Sequence, residues 1–192
     1  MGFEDEVWWS RVAQPRLRTW AEADAPLRLQ ELEPAKEDRD PKALACYGLL
    51  LRRPGQPTAK ERMLLRFVDG RPVSAVTIDF LKWSCQALVR QGLKVLALIW
   101  DNAPWHVSQL ARTWIRTHNR QVKRTDRGVR ILVCYLPSKS PWLNPIEPKW
   151  RHGKRAVVEP ARLLPAAELA ERVCARFDCA HEPHLVAPKK AS

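Results

Sequence analysis

Long hydrophobic runs are missing from this 192-residue chain. None approaches the roughly 18 uninterrupted apolar residues of a membrane span. The opening, Met1-Gly2-Phe3-Glu4-Asp5-Glu6, has neither the basic start nor the apolar stretch of a signal peptide. A secreted, membrane-embedded or collagen-like protein is therefore not expected, and no internal repeat is visible. Cysteine is sparse and odd in number: Cys46, Cys85, Cys134, Cys174 and Cys179. The first three lie inside apolar runs, so buried, reduced thiols of a cytosolic protein are expected rather than a disulfide framework. Cys174, Cys179, His181 and His184 form C-x4-C-x-H-x2-H. Almost no chain separates the two pairs, unlike common zinc modules, and the sequence leaves open whether they bind metal.

Acidic residues are also in short supply. There are 21 Asp and Glu against 33 Lys and Arg, a formal charge of +12. The deficit is uneven. Residues 1–40 hold 10 acids and 6 bases, whereas residues 41–192 carry a net +16. Two thirds of the bases are Arg, which suits bidentate phosphate contact. This balance points to a polyanion, most simply nucleic acid. Composition alone is equally consistent with a basic protein from an Arg-rich proteome. What is present in quantity is apolar: 45% hydrophobic against 28% charged, enough for a core without staples and normal for one globular domain.

Residues 27–32 alternate apolar and polar like a half-buried strand, and a Pro- and charge-rich connector follows at 33–42. Residues 43–52 and 62–70 read as two strands joined by a turn-rich segment. Apolar residues at helical spacing predict a helix over 73–91, closed by Gly92. Residues 94–101 (KVLALIWD) and 129–137 (VRILVCYLP) read as strands buried on both faces. Between them, 108–121 reads as a helix with Leu110, Trp114 and His118 on one stripe and Arg112, Arg116 and Arg120 on another. Residues 144–157 begin a basic helix, and 164–177 form a final amphipathic one. Strands first, then alternating strand and helix, predict an α/β fold: a mixed sheet with helices on both faces.

Asp101 ends a predicted strand, so its carboxylate would emerge at the sheet edge where α/β folds place their sites. Glu147 lies just beyond the next strand, and the two acids converge if those strands are neighbours. Asp5 ends a short N-terminal strand and is a third candidate. Three such acids repel unless cations sit between them, and carboxylate oxygens with retained waters suit Mg²⁺. Two such ions can promote phosphoryl transfer. Each acid also has an ordinary structural role open to it. Asn144-Pro145-Ile146-Glu147 has the form of a capping box, Asp101-Asn102 can cap the next helix, and Asp5 can be a solvated terminal residue. His106 reads as a ligand, a DNA contact or an ordinary helix-start histidine.

At these residues the chain resembles a known family. WDNAPWH (100–106) followed by LPSKSPWLNPIEPKW (136–150) is similar to the signature of DDE-type transposases of the mariner superfamily, nearest the bacterial insertion sequence 630 family. FEDEVWWSRVAQPRLRTWAEADAP (3–26) resembles that family's first-acid segment. The resemblance implies a ribonuclease-H-like catalytic domain over 1–160, with residues 161–192 a C-terminal helix and tail. It implies Asp5, Asp101 and Glu147 as catalytic acids and ligands of Mg²⁺ or Mn²⁺, as two ions. The implied activity is hydrolysis of DNA at element ends followed by strand transfer, on double-stranded DNA and as a homodimer. The implied location is the bacterial cytoplasm, with the nucleoid. Such proteins carry a helix-turn-helix upstream of the first acid. Only four residues precede Asp5 here, so the expectation is the catalytic part of a truncated or frameshifted transposase. A catalytically inactive DNA-binding remnant and a structure-specific nuclease of the same fold are the alternatives. Between Asp101 and Glu147 lie 45 residues, with the extra length expected in a basic loop at 118–129.

Two basic segments accompany the acids. Residues 112–130 carry Arg112, Arg116, Arg120, Lys123, Arg124, Arg127 and Arg130 against one acid, and residues 149–162 carry Lys149, Arg151, Lys154, Arg155 and Arg162 against one. They are expected to hold the DNA backbone in a salt-dependent way, the plainer role being a solvated face. No base-reading motif is visible. Among the nine tryptophans, Trp100 and Trp114 suit the core, while Trp105 and Trp142 lie in loops beside the acids.

Overall fold

A computed structural model describes residues 1–12, 34–53, 55, 60–138, 140–157 and 162–187. The strand expected at 27–32 lies outside the described residues. Strands β1 (Gly2–Ser10), β2 (Ala43–Leu51) and β3 (Arg62–Asp69) form an antiparallel meander. Helix α1 (Ser74–Arg90) crosses to β4 (Val95–Trp100), and α2 (Gln109–Thr125) crosses to β5 (Arg130–Tyr135). A 3-10 turn at Pro141–Leu143, α3 (Ile146–Val157), α4 (Ala166–Arg176) and a short β6 (Leu185–Val186) follow among the described residues. The sheet order is β5-β4-β1-β2-β3-β6. β4 runs parallel to both β1 and β5, which gives the ribonuclease-H-like arrangement. Among the described residues no helix is long and apolar enough to cross a membrane.

The sheet is covered by two separate cores. On one face Val76, Phe80, Leu81, Cys85 and Leu88 of α1 recur at helical spacing and pack with Ile115 of α2 against Leu49, Leu98, Trp100 and Ile131. On the other, Ile146, Trp150 and Val157 of α3 and Leu169 and Val173 of α4 cover β1, β2 and β3 through Val7, Trp9, Cys46 and Phe67. Gly153 lets α3 approach closely: a Cβ there would lie 2.8 Å from the Trp9 ring and 3.0 Å from Phe177. Each large side chain removed from water here contributes about 1.5–3 kcal/mol.

Five expectations need correction. β1 is not a short strand ending at Asp5. It is nine residues long, paired along its whole length with β2, and Asp5 sits mid-strand. β4 and β5 are not buried on both faces, because the second core takes nothing from either strand. Leu132 and Cys134 of the edge strand β5 are therefore exposed. The buried stripe of α2 runs through Ala111, Ile115 and Val122, leaving Leu110 outside. The basic segment 118–129 is mostly helix, because α2 continues to Thr125 before Asp126 turns it in the left-handed conformation. Finally, Asp101 does not cap α2; Ser108 does, accepting from the Ala111 N–H at 3.2 Å.

Candidate active site

Alternation along β1 divides three consecutive acids between the two faces of the sheet. Asp5 points with Phe3, Val7 and Trp9 toward α3, while Glu4 and Glu6 point the other way, toward His106. The parallel register pairs Phe3 with Ile99, so two residues further on Asp5 comes level with Asp101, just past the end of β4. Asp5 and Asp101 line one shallow depression of about 420 Å³ with Glu6, Trp8, Arg71, Pro72 and Trp105. Asp101 also borders a second hollow formed with Asn102, Leu136, Pro137, Ser138, Ser140 and Pro141.

Glu147 reaches this edge because of how α3 starts. Asn144 Oδ1 accepts from the Ile146 N–H at 3.4 Å, and Asn144 Nδ2 donates to the Glu4 carbonyl at 3.3 Å, which ties the helix start to β1. The reciprocal half of a capping box is not made, since the Asn144 N–H goes to the Pro141 carbonyl. One turn on, Trp150 Nε1 donates to Asp5 Oδ2 at 2.9 Å. The ring can lie there only because Gly48 faces Asp5 across the β1–β2 ladder, and a Cβ at Gly48 would overlap it. Burial, then the negative charges of Glu147, Glu4 and Glu6, push the Asp5 carboxyl up from 3.8 to about 8, against the Trp150 hydrogen bond. A carboxylate so placed is short of positive charge.

On the opposite face the charges are closed by His106. Its ring is fully buried and stacked on Trp100 at 4.4 Å. Nδ1 lies 2.8 Å from Asp101 Oδ1 and Nε2 lies 3.0 Å from Glu6 Oε1, which also accepts from Trp105 Nε1 at 2.7 Å. Glu4 Oε2 is 3.1 Å from Nε2, an ion-pair distance, but is not aligned for a hydrogen bond. Burial opposes a charged imidazole, yet Glu4, Asp101 and Glu6 outweigh it and hold His106 protonated well above its usual range. The same bond keeps Asp101 below the ordinary carboxylate range, and burial with Glu6 pushes Glu4 up to about 7. Glu4, Glu6 and His106 are the one group of three candidate metal ligands with donor atoms within 4.8 Å of one another among the described residues. The imidazolium already supplies the positive charge there, so we read the trio as a clamp on Asp101. Asn102 Nδ2 completes the loop by donating to the Leu136 carbonyl at 2.7 Å.

The structure thus brings Asp5 and Asp101 to one depression, with Glu147 close enough for its charge to act on Asp5, and separates the basic residues. Arg112, Arg116, Arg120, Lys123 and Arg124 are exposed along α2, on the α1 side, and Arg127 follows in the next loop. That helix spans 17 residues, about 25 Å, so only its start is near the acids. Lys149, Arg151, Lys154 and Arg155 lie on α3, across the sheet, and Lys149 pairs with Glu61 at 2.5 Å. Arg151 follows Glu147 by one turn; Lys154 and Arg155 lie roughly 10–12 Å from Glu147 along the helix axis. Glu4, Glu6, Trp8 and Arg71 are not among the residues singled out from the sequence. Three successive acids inside an apolar strand were a signal for the first two; Arg71, in a loop, offered none.

Comparison with known proteins bears on the family and the fold. Residues 3–169 match the family described as DDE superfamily endonuclease. The fold is similar to that of the Mos1 transposase paired-end complex with left transposon end, with a TM-score of 0.61 and 18% identity over 93% of this chain and 48% of that one. It is likewise similar to the Mos1 mariner paired end complex with Mn, with a TM-score of 0.57 and 17% identity over 93% of this chain and 48% of that one. The chain therefore spans about half the length of the solved proteins it resembles. No match is found among curated proteins. With the match covering most of its length, the chain belongs to the DDE superfamily endonuclease family.

Proposed function

We propose that this chain is the catalytic part of a DNA transposase of the insertion sequence 630 branch, cutting DNA at element ends and joining the freed end to a target. The observation that carries this reading is Asp5: a mid-strand carboxyl pushed up to about 8 by burial and by Glu147, Glu4 and Glu6, and level with Asp101 at the sheet edge. Such a donor set fits a divalent cation with oxygen ligands, Mg²⁺ or Mn²⁺. Asp5, Asp101 and Glu147 would hold it. When bound, the metal activates the attacking oxygen and stabilises the leaving one.

The remaining residues orient and bind. His106 holds Asp101 through Oδ1, and the second oxygen is the one offered to the cation. Trp150 does the same for Asp5 from the opposite face. Arg71 supplies a cation beside the acids for a phosphate, and Trp8, 48% exposed at the rim, offers an aromatic surface to the DNA. Arg112 and Arg151 stand at the near ends of the two basic helices and engage flanking phosphates. The more distant Lys123, Arg124, Arg127, Lys154 and Arg155 contribute longer-range attraction.

Nicking of supercoiled DNA tests this reading. Mg²⁺- or Mn²⁺-dependent nicks are expected from the wild-type chain and none from Asp101→Asn. Equal nicking by that variant would overturn the assignment, and binding without cleavage in either metal would favour an inactive remnant.

A further inference from the structure

The C-x4-C-x-H-x2-H segment plays no part in the site above, and it does not close into a four-ligand set. Cys174 is buried, and Cys179 Sγ donates to the Cys174 carbonyl at 3.5 Å. The histidines form a separate pair at the surface, with His181 Nε2 and His184 Nε2 3.4 Å apart. That separation is long for a hydrogen bond from a ring N–H, which prefers about 2.7–3.2 Å. It is the separation that two imidazole nitrogens adopt on one tetrahedral ion. Metal–nitrogen bonds of about 2.0–2.1 Å at the tetrahedral angle place them about 3.3–3.4 Å apart.

Two further contacts belong to the same pattern. His184 Nδ1 lies 2.6 Å from Asp69 Oδ1 and donates to it, so in the neutral ring the Nε2 lone pair faces His181. A carboxylate behind a histidine in this way is the usual support of a metal-bound imidazole. The Phe67 ring flanks both, with centroids 5.9 Å from His181 and 5.5 Å from His184. We propose that His181 and His184 form a surface site for a borderline divalent transition ion, of which Zn²⁺ and Co²⁺ are examples. Asp69 orients His184 and water fills the remaining positions. Imidazole donors select this class over Mg²⁺. Among the described residues no third donor closes with the pair, so the coordination is open. The ion would tie the residues just ahead of β6 to the end of β3, supporting a strand of only two residues.

Titration of the full chain with Co²⁺, under saturating Mg²⁺ to occupy the carboxylate site, tests this. One equivalent with tetrahedral d–d absorption is expected. His181→Ala and His184→Ala should each remove that absorption, Asp69→Asn should weaken binding about tenfold, and His152→Ala, on exposed α3 surface, should change nothing. In the wild-type chain, Zn²⁺ should move the ¹⁵N resonances of Nε2 in both rings while His184 Nδ1 stays protonated. Unchanged Co²⁺ binding in either histidine variant would overturn the site. So would Nε2 resonances indifferent to Zn²⁺, the pair then being two neutral rings sharing one proton.

Discussion

Replacing Asp5 by Asn isolates the charge frustration on which the functional reading stands. Asn keeps an oxygen to accept from Trp150 Nε1 and changes volume little, so the packing of α3 on β1 is preserved. The Asp5 carboxyl ionises at about 8 in the folded chain against an ordinary 3.8. A carboxyl with a raised folded pKa binds its proton more tightly folded than unfolded. Its contribution to stability is complete below 3.8 and is lost as pH rises through about 8. At about 1.4 kcal/mol per unit, the loss between about pH 5 and pH 8 would reach about 3–4 kcal/mol. Asp5 keeps some contact with water, which screens its neighbours, so about 2 kcal/mol is the working figure. Urea unfolding in EDTA, at fixed ionic strength from pH 5 to 8, measures it. Wild type should lose about 2 kcal/mol more than Asp5→Asn across that range. Glu4, pushed up to about 7, lowers both curves and does not affect the comparison in first order. Mg²⁺ at pH 8 should restore wild type and leave the variant unchanged. Parallel pH profiles without metal would refute the electrostatic account of the site.

Three other outcomes follow from the same geometry. Gly48→Ala forces a methyl into the Trp150 ring, and an overpacking cost of about 1–3 kcal/mol should appear in unfolding midpoints together with reduced nicking. His106→Ala removes the buried imidazolium that bridges Glu4, Glu6 and Asp101; a loss of about 3–5 kcal/mol is expected by urea unfolding at pH 8, smaller at pH 5 where Glu4 is protonated. Neutralising Arg112 and Arg151 should lower nicking more than neutralising Arg124 and Arg127. Each lost phosphate contact should reduce the slope of log affinity on log salt by about one, read by fluorescence anisotropy on a duplex.

What the chain order alone determined was which elements form and which acids are candidates. Apolar periodicity and flanking turns located β2, β3, α1, β4, α2, β5, α3 and α4 to within a few residues, because those patterns are local. Asp101 stood out at the end of an apolar run, and it was the resemblance of the DNAPWH and SPWLNPIE segments to a known signature that singled out both it and Glu147. Tertiary structure decided what local pattern does not encode. Whether β4 and β5 were covered on one face or two depended on where α3 and α4 landed, and they landed on β1, β2 and β3. Whether Asp5 was a fraying terminal residue or a mid-strand acid depended on β2 reaching back to pair with Gly2. His106 became a buried clamp only when the loop after β4 folded onto Glu4 and Glu6, about a hundred residues earlier in the chain. The basic helices, adjacent in purpose on paper, ended on opposite faces of the sheet. Charge is a property of composition, but its distance from the acids is set by which side of a sheet each crossover takes.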